Sequence, residues 1–398
     1  MNTQNTPIHL HLWHKDFWLV AIASLLLPMS VYMFVPVFPL WLPLQGCFGS
    51  LQVGWVLGIL GIGVFLLGTF CSYLVQHYRR NNVCMESILV MMMLVALLHY
   101  LHRMAGWFDG NCKQWMLVFL LLQRLLMGAT FGLAQMVLGS TLVIDTCESS
   151  HRTEANHSSA WFARFALAMG PLAGLIVYRF FGFDGVVFGS LACSAVAVIL
   201  IRSVHFPFRA PEEGVRLFSL DRFFMPQGLP LFGNLALVMT AVGMLLPFGT
   251  EPIFFVSVLG GFLLSLLAQH FVFRHAELKS EAITALLFLA AAIFMMLTSP
   301  LPVVHVASPA LIGTGVGIFC SRFLMFFIKL SRHCQRGTAQ SSYFLASETG
   351  IALGLFLHFS CCQQDEGSVL VFSLILVTAA FLLYHFFTHR WFMLHKNR

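Results

Sequence analysis

Residues 160–181 decide the fold class of this chain, and they read AWFARFALAMGPLAGLIVYRFF. A helix needs roughly 17 to 25 apolar residues to cross the hydrocarbon core of a bilayer, and this run is long enough. It is also continuously apolar, whereas the strands of a membrane β-barrel are about ten residues of alternating polarity. A backbone inside a bilayer must satisfy its own hydrogen bonds, so the run predicts a membrane-spanning α-helix.

The rest of the chain contains eleven similar runs, and the twelve together predict an all-α integral membrane protein. The twelve predicted transmembrane helices cover residues 17–44, 51–75, 83–101, 115–143, 160–181, 184–201, 228–247, 252–273, 281–299, 306–330, 339–361 and 367–388. The composition agrees, since 59% of the residues are hydrophobic and only 10% are charged, against about 25% charged in soluble domains.

The longest polar stretch, residues 202–227, separates six predicted helices from six. We therefore divide the chain into a first six-helix bundle (residues 1–201), a linker (202–227) and a second six-helix bundle (228–398). Two halves with equal numbers of helices predict a parallel repeat about an axis along the membrane normal. A shift of 184 residues, which places Arg164 on Glu348, relates the fifth helix to the eleventh.

The positive charges predict how the chain is oriented. Most of the 22 lysines and arginines lie in the termini and in one alternating set of connections. Cationic residues collect on the cytoplasmic side of membranes, so both termini are expected to be cytoplasmic. The formal charge of +6 indicates contact with anionic lipid headgroups, and no basic stripe suggests nucleic acid.

Three arginines lie inside predicted helices, where a charge is costly and marks a pathway or a partner. Arg124 is predicted to bind an anionic group of a solute or to lower the pKa of a nearby acid, with pairing to backbone carbonyls as the alternative. Arg322 is, like Arg124, a candidate for a central cavity, or else its side chain reaches towards the membrane interface. Arg164 is a candidate for gating, and Tyr32 is one of several aromatic residues that could line the cavity.

Glu348 is the only carboxylate predicted to lie well inside a helix. A carboxyl in that position is a candidate proton carrier. Because Arg164 has the opposite charge at the matching position of the repeat, the two residues could form an ion pair between the bundles. The alternative is that each pairs within its own bundle.

Short motifs occur in a fixed order on these helices. They are SYLVQHYRR at residues 72–80, RLLMGATFG at 124–132, ALAMGPLAGL at 166–175, and RGTA at 336–339 followed by Gly350 and Gly354. Small residues allow membrane helices to approach closely, and Pro171 removes a backbone donor and bends its helix. These features suit a hinge or a seal, and simple close packing explains them equally well.

In this order the motifs resemble those of the major facilitator superfamily over essentially the whole chain. Residues 166–175 are similar to the signature of drug/proton antiporters, which suggests the bacterial drug or sugar efflux branch. The loop after the second helix departs from the family pattern, because Gln76 replaces an acid that helps to latch the two bundles there, although Arg79 and Arg80 remain. The motif positions carried over are Gln76, Arg79, Arg80, Gly128, Gly170, Pro171, Gly174, Arg336, Gly350 and Gly354.

The resemblance implies a secondary active transporter of a small organic solute that works by alternating access, as a monomer in the inner membrane of a bacterium. No Gly-x4-Gly-Lys-Ser/Thr loop is present to bind ATP. An ion gradient is therefore expected to supply the energy, and facilitated transport is the alternative. Proton-coupled efflux is favoured, and uptake of a nutrient or organic anion is the alternative. No cofactor or metal is implied.

Two more distant alternatives are a non-transporting receptor or scaffold, which the departure at Gln76 leaves open, and an intramembrane enzyme. His11 and Asp16 have the spacing of some lipid acyltransferases, but they stand alone before the first helix, so no enzyme is predicted. Four cysteines near predicted outward loops could form a disulfide in an oxidising compartment; they are Cys47, Cys112, Cys361 and Cys362.

Overall fold

The computed structural model describes residues 12–45, 48–104, 112–148, 150–207, 214–273, 277–332, 335–361 and 365–396, and within these ranges it is helical with no strands. We number the transmembrane helices α1 to α12 in chain order. They are Lys15–Gln45, Ser50–His77, Arg80–Arg103, Trp115–Asp145, 152–181, 183–203, Pro226–Phe248, Pro252–Phe271, Leu278–Thr298, Val304–Leu330, Arg336–Cys361 and Glu366–His395.

Ten helical stretches of the described chain are long and apolar enough to cross a membrane. One of them, Arg152–Ser203, has 52 residues and bends at Gly182, where φ is 65° and ψ is −163°. Only glycine adopts such a backbone readily, so this residue divides the stretch into α5 and α6. With α11, which is more polar, the total is twelve, and the predicted fold class is confirmed.

Local breaks in the helices position the residues that line the centre. The regular part of α1 ends at Tyr32, and Pro36 follows within the next turn. In α4, residues Leu138–Leu142 form a π-helix, an irregularity that is frequent at functional sites. Both breaks lie beside the space between the two bundles.

Equivalent glycines pack α5 on α1 and α11 on α7. A Cβ atom at Gly170 would lie 3.0 Å from the carbonyl oxygen of Met29, and one at Gly350 would lie 2.6 Å from that of Ala236. The motif glycines therefore bring helix backbones together. The two glycines are 180 residues apart, whereas α5 and α11 begin at Arg152 and Arg336, which are 184 residues apart.

The end of the linker packs against both bundles. The amide of Ser219 donates to the carbonyl oxygen of Thr69 at 3.0 Å, and the amide of Met225 donates to Ser342 Oγ at 2.8 Å. The ring of Phe223 occupies the space that a side chain at residue 68, a glycine, would fill. We call this end of the molecule the linker side and the opposite end the far side.

The side chains of the four cysteines that could form a disulfide lie outside what the structure describes. Cys47 and Cys362 are not described, and neither are the side chains of Cys112 and Cys361. The cysteines that the structure does describe are all free thiols.

Candidate functional site

A cavity of about 70 Å³ lies between the two bundles. Helices α1, α4 and α5 line it from the first bundle, and α7, α10 and α11 line it from the second. Its polar side chains include Tyr32, Gln135, Arg164, Gln340 and Glu348. Sites for drug-sized ligands have volumes of roughly 300 to 1,000 Å³, so in this state the cavity is closed down.

Tyr32 and Glu348 join the two bundles inside the cavity. The phenol of Tyr32, on α1, donates a hydrogen bond to Oε1 of Glu348, on α11. Both residues are buried, with exposed fractions of 6% and 5%. In the described part of the chain, Glu348 forms no ion pair within 4.0 Å. The carboxyl group therefore has a neutral hydroxyl as its partner.

Arg164 also reaches from the first bundle to the second. Its Nη2 donates to the hydroxyl of Tyr343 at 3.1 Å, and its Nη1 donates to the carbonyl oxygen of Gly317 at 3.3 Å. The guanidinium carbon lies 4.3 Å from the ring centroid of Trp161, within the range of a cation–π interaction. The structure thus brings Arg164 and Glu348 into one cavity but does not pair them.

Besides Nε of Arg164, three polar atoms of the cavity lining have no hydrogen-bond partner among the described residues. They are Oε1 of Gln135, Oε1 of Gln340 and Oγ of Ser341. A buried polar group without a partner costs about 1–3 kcal/mol. Two amide oxygens that can only accept, and a hydroxyl beside them, match the donors of a polar solute or of water.

A second polar chain crosses between the bundles nearer the linker side. Nε2 of His157 lies 2.6 Å from Oγ of Ser321, which donates to Oε1 of Gln269 at 3.1 Å. Helices α5, α10 and α8 are connected in this way. Sequence reasoning missed His157, although it precedes Arg164 by seven residues and so lies on the same face of α5.

Close helix contacts seal the far side of the cavity. Ser50 Oγ donates to the carbonyl oxygen of Phe359 at 2.6 Å. A Cβ atom at Gly58 of α2 would lie 2.8 Å from Cβ of Phe356 on α11. The far ends of α2 and α11 are therefore in direct contact.

The linker side is closed by α4, α11 and the linker. A Cβ atom at Gly337 would lie 2.7 Å from the carbonyl oxygen of Ser140, in the π-helical part of α4. The amide of Arg222 donates to Oγ1 of Thr338 at 2.8 Å. With both sides in contact, a solute larger than the cavity can enter only if one bundle moves.

Arg124 does not line this cavity. It is 2% exposed, its Nε donates to the carbonyl oxygen of Val56 at 3.3 Å, and its guanidinium carbon lies 5.0 Å from the centroid of the Phe38 ring. A third contact joins Nη1 to the sulfur of Met127 at 3.3 Å. The structure thus shows the arrangement considered as the alternative, in which a backbone carbonyl holds the arginine within the first bundle.

Arg322 also lies away from the cavity. Its Nε donates to Oε2 of Glu281 at 2.7 Å, which joins α10 to α9 within the second bundle. Glu281 is 1% exposed. The sequence placed Glu281 at the boundary of a span, so the structure adds a second buried carboxylate that sequence reasoning missed.

The loop after α2 makes its ion pair within one bundle. Nη1 of Arg80 donates to both carboxylate oxygens of Asp145 at 3.0 and 2.7 Å, which joins the linker-side ends of α3 and α4. The side chain of Gln76 accepts a hydrogen bond from Ser72 at 3.4 Å, one turn earlier in the same helix. Neither contact latches the first bundle to the second.

The sequence matches one family description, Major Facilitator Superfamily, over residues 20–355. Among curated proteins, no sequence matches the chain.

Several solved structures share the fold. A bacterial homologue of the iron transporter ferroportin, in an outward-facing state with soaked iron, has a TM-score of 0.68 and 15% identity, covering 94% of this chain and 98% of that one. A bacterial homologue of the human lysosomal transporter Spinster, inward-facing and unoccupied, has a TM-score of 0.67 and 14% identity, with coverages of 96% and 98%. The human organic anion transporter MFSD10 (TETRAN) has a TM-score of 0.65 and 14% identity, with coverages of 93% and 98%.

Proposed function

Because the chain belongs to the Major Facilitator Superfamily, and is therefore a membrane-embedded secondary transporter rather than an enzyme, we propose that it exports a small polar organic solute in exchange for protons. The linker side faces the cytoplasm in this proposal, as the distribution of lysine and arginine predicts. The two bundles rock about the central cavity and expose it to one side at a time.

The hydrogen bond between Tyr32 and Glu348 is the observation that carries the proposal. It lies in the cavity, and it joins the two bundles that must separate when the cavity opens. Burying a carboxylate ion without a cation costs several kcal/mol. We therefore infer that the closed state holds Glu348 as the neutral acid.

Opening of the cavity breaks this contact and gives Glu348 access to water, where it can release its proton. Protonation of Glu348 then stabilises the closed state, and closure in turn stabilises the protonated acid. This linkage couples proton movement to the change of conformation. Arg164 holds its contacts with α10 and α11 in the same closed state. Both residues thus serve as gating groups, without an ion pair between them.

The cavity lining indicates the class of solute. Gln135, Gln340 and Ser341 present hydrogen-bonding atoms that have no partner among the described residues. Phe344 and Tyr343 supply aromatic surface. A solute with hydroxyl or amine donors on a compact apolar frame satisfies both sets of groups. Export is the direction supported by the similarity of residues 166–175 to the antiporter signature.

Reconstitution tests the proposal directly. The full chain is placed in liposomes that contain a pH-sensitive dye, a proton gradient is imposed, and a panel of polar amines and polyols is added. We expect solute-dependent proton flux for the wild type, and none for Glu348→Gln, which still exchanges solute for solute. The control Glu366→Gln, an exposed carboxylate at the start of α12, is expected to behave as the wild type. Unchanged flux in Glu348→Gln would rule out Glu348 as the proton carrier.

Uptake of an organic anion is a second candidate, and Arg164 is the observation that favours it. Its guanidinium lines the cavity, and within the described chain no carboxylate lies within 4.0 Å of it. A solute carboxylate could bind this fork of donors. In that case carboxylates accumulate inside liposomes, and Arg164→Gln, rather than Glu348→Gln, abolishes the accumulation.

A further inference from the structure

A second cavity, of about 190 Å³, opens at the linker side, and its walls are dominated by arginine. We call it the arginine cavity. Arg80 and Arg152 line it from the first bundle, Arg336 lines it from the second, and Arg222 lines it from the linker. Asp145 is the one acidic residue in the described lining. The cavity adjoins the central one at Ser140, but none of these charged residues lines both.

Positive charge exceeds negative charge at this place. Asp145 binds Arg80, and Asp221 lies 3.8 Å from Nε of Arg222. Among the residues that the structure describes, no carboxylate lies within 4.0 Å of Arg152 or Arg336. Four guanidinium groups against two carboxylates leave a local charge of +2 (4 − 2).

Two details show that the protein itself does not satisfy these cations. Nε of Arg152 is buried and has no hydrogen-bond partner in the part of the chain that the structure describes. Burial, together with the neighbouring charge of Arg80, lowers the pKa of Arg222 from its ordinary value. An unpaired buried donor and crowded like charges both cost free energy, and a bound anion would relieve both.

The backbone holds Arg222 at the wall of the cavity. Its φ of 59° is the left-handed conformation, which is uncommon for a residue other than glycine. Its amide donates to Thr338 Oγ1 at 2.8 Å, and its Nη1 donates to Thr141 Oγ1 at 3.4 Å. Strained residues of this kind persist where the surrounding contacts over-determine them, often at ligand sites.

We propose that the arginine cavity binds an oxyanion of the phosphate type, which ties the two bundles together at the linker side. A guanidinium offers a planar fork of donors that fits phosphate oxygens. The volume of about 190 Å³ is several times the roughly 30 Å³ that one water occupies. Because the arginines come from both bundles and the linker, the bound anion stabilises the state that is closed on this side.

Thermal unfolding of the purified full chain in neutral detergent tests the site without any assay of transport. Inorganic phosphate is titrated against sodium chloride at equal ionic strength. We expect a saturable rise in Tm with phosphate alone. Arg152→Gln and Arg336→Gln each remove one charged donor, so each should raise the half-saturating phosphate concentration about tenfold, equivalent to roughly 1.4 kcal/mol.

Two control variants make the result specific. Arg332→Gln removes an equal charge from an exposed position near α11 but outside the cavity, and should leave the response to phosphate unchanged. Arg336→Lys keeps the charge but loses the fork, and should weaken the response less than Arg336→Gln. Equal Tm values in phosphate and chloride, or equal responses of all the arginine variants, would overturn the proposal.

The phosphate group can belong to a free anion or to a lipid. The same measurement in nanodiscs of phosphatidylcholine, with and without phosphatidylglycerol and in the absence of free phosphate, separates these sources. A rise in Tm with phosphatidylglycerol that Arg152→Gln reduces identifies a lipid headgroup. Stabilisation by inorganic phosphate alone identifies a soluble anion, and stabilisation by neither refutes the site. The result is independent of whether the chain carries protons.

Discussion

Replacing Tyr32 by phenylalanine removes one oxygen atom at the contact between the bundles. Tyr32 and Glu348 are both buried, so the substitution leaves Oε1 of Glu348 without a hydrogen-bond donor. An unsatisfied buried acceptor costs about 1–3 kcal/mol. Since about 1.4 kcal/mol is a tenfold change in an equilibrium constant, we expect Tyr32→Phe to lower the population of the closed state by roughly 5- to 150-fold relative to open states.

The measurement is the distance between spin labels on the far-side ends of α2 and α11, together with thermal unfolding of the same samples. Tyr32→Phe should broaden the distance distribution towards longer values and lower Tm. The matched control is Tyr178→Phe, because Tyr178 lies on α5 and is half-buried, and because its hydroxyl makes no hydrogen bond to a described residue. If both variants behave alike in distance and in Tm, the contact does not hold the closed state together.

Three other predictions concern packing, titration and a buried ion pair. Gly350→Ala should destabilise the protein by about 1–3 kcal/mol in denaturant unfolding, because the new methyl group would lie 2.6 Å from a backbone oxygen of the neighbouring helix. The control Gly260→Ala should not destabilise it, because the new methyl group would have no atom of another helix within 4 Å. Burial raises the pKa of Cys147 to about 11. Alkylation of its thiol, followed by mass spectrometry, should therefore be slow at neutral pH and should accelerate about tenfold per pH unit until the pH approaches that value. An alkylation rate that is already at its maximum at pH 8 would contradict this prediction. Arg322→Met leaves the Glu281 carboxylate buried without its cation and should lower the free energy of unfolding by about 3–5 kcal/mol. The double variant with Glu281→Leu should recover most of that stability. Equal losses of stability in the single and double variants would show that the ion pair is not the cause.

The helices and the division into halves could be predicted from the sequence because each depends on local composition. The run at residues 160–181 spans a membrane on hydropathy alone, and the polar stretch at 202–227 divides the chain without knowledge of any contact. The close packing of α5 was likewise foreseeable, since Gly170 occurs in a stretch rich in small residues and such residues permit it, although the sequence did not identify α1 as the partner. Hydropathy, polarity and small side chains are properties of neighbouring residues in the sequence, so they can be recognised without knowledge of the tertiary structure.

The roles of the buried charges could not be predicted in the same way. Whether Arg124 faces a cavity or a backbone carbonyl depends on how α1 and α2 pack around this part of α4, which hydropathy does not specify. The contact of Glu348 with Tyr32 joins residues 316 positions apart and depends on how two bundles meet. A shift of 184 residues aligns Arg164 with Glu348, but it does not say which partner each finds, because Tyr343 and Tyr32 lie on distant helices.

Phe223 gives the connection between the halves a mechanical role. It belongs to the linker, yet its ring packs against Gly68 and Phe65 of the first bundle and is 7% exposed. In the cycle proposed above, separating the bundles at this end would withdraw the ring from its contact with the first bundle, and exposing a buried phenylalanine costs about 1.5–3 kcal/mol. We expect that cost to add to the activation barrier for opening, so that a residue outside the transmembrane helices changes the speed of the cycle while the affinity for solute stays the same.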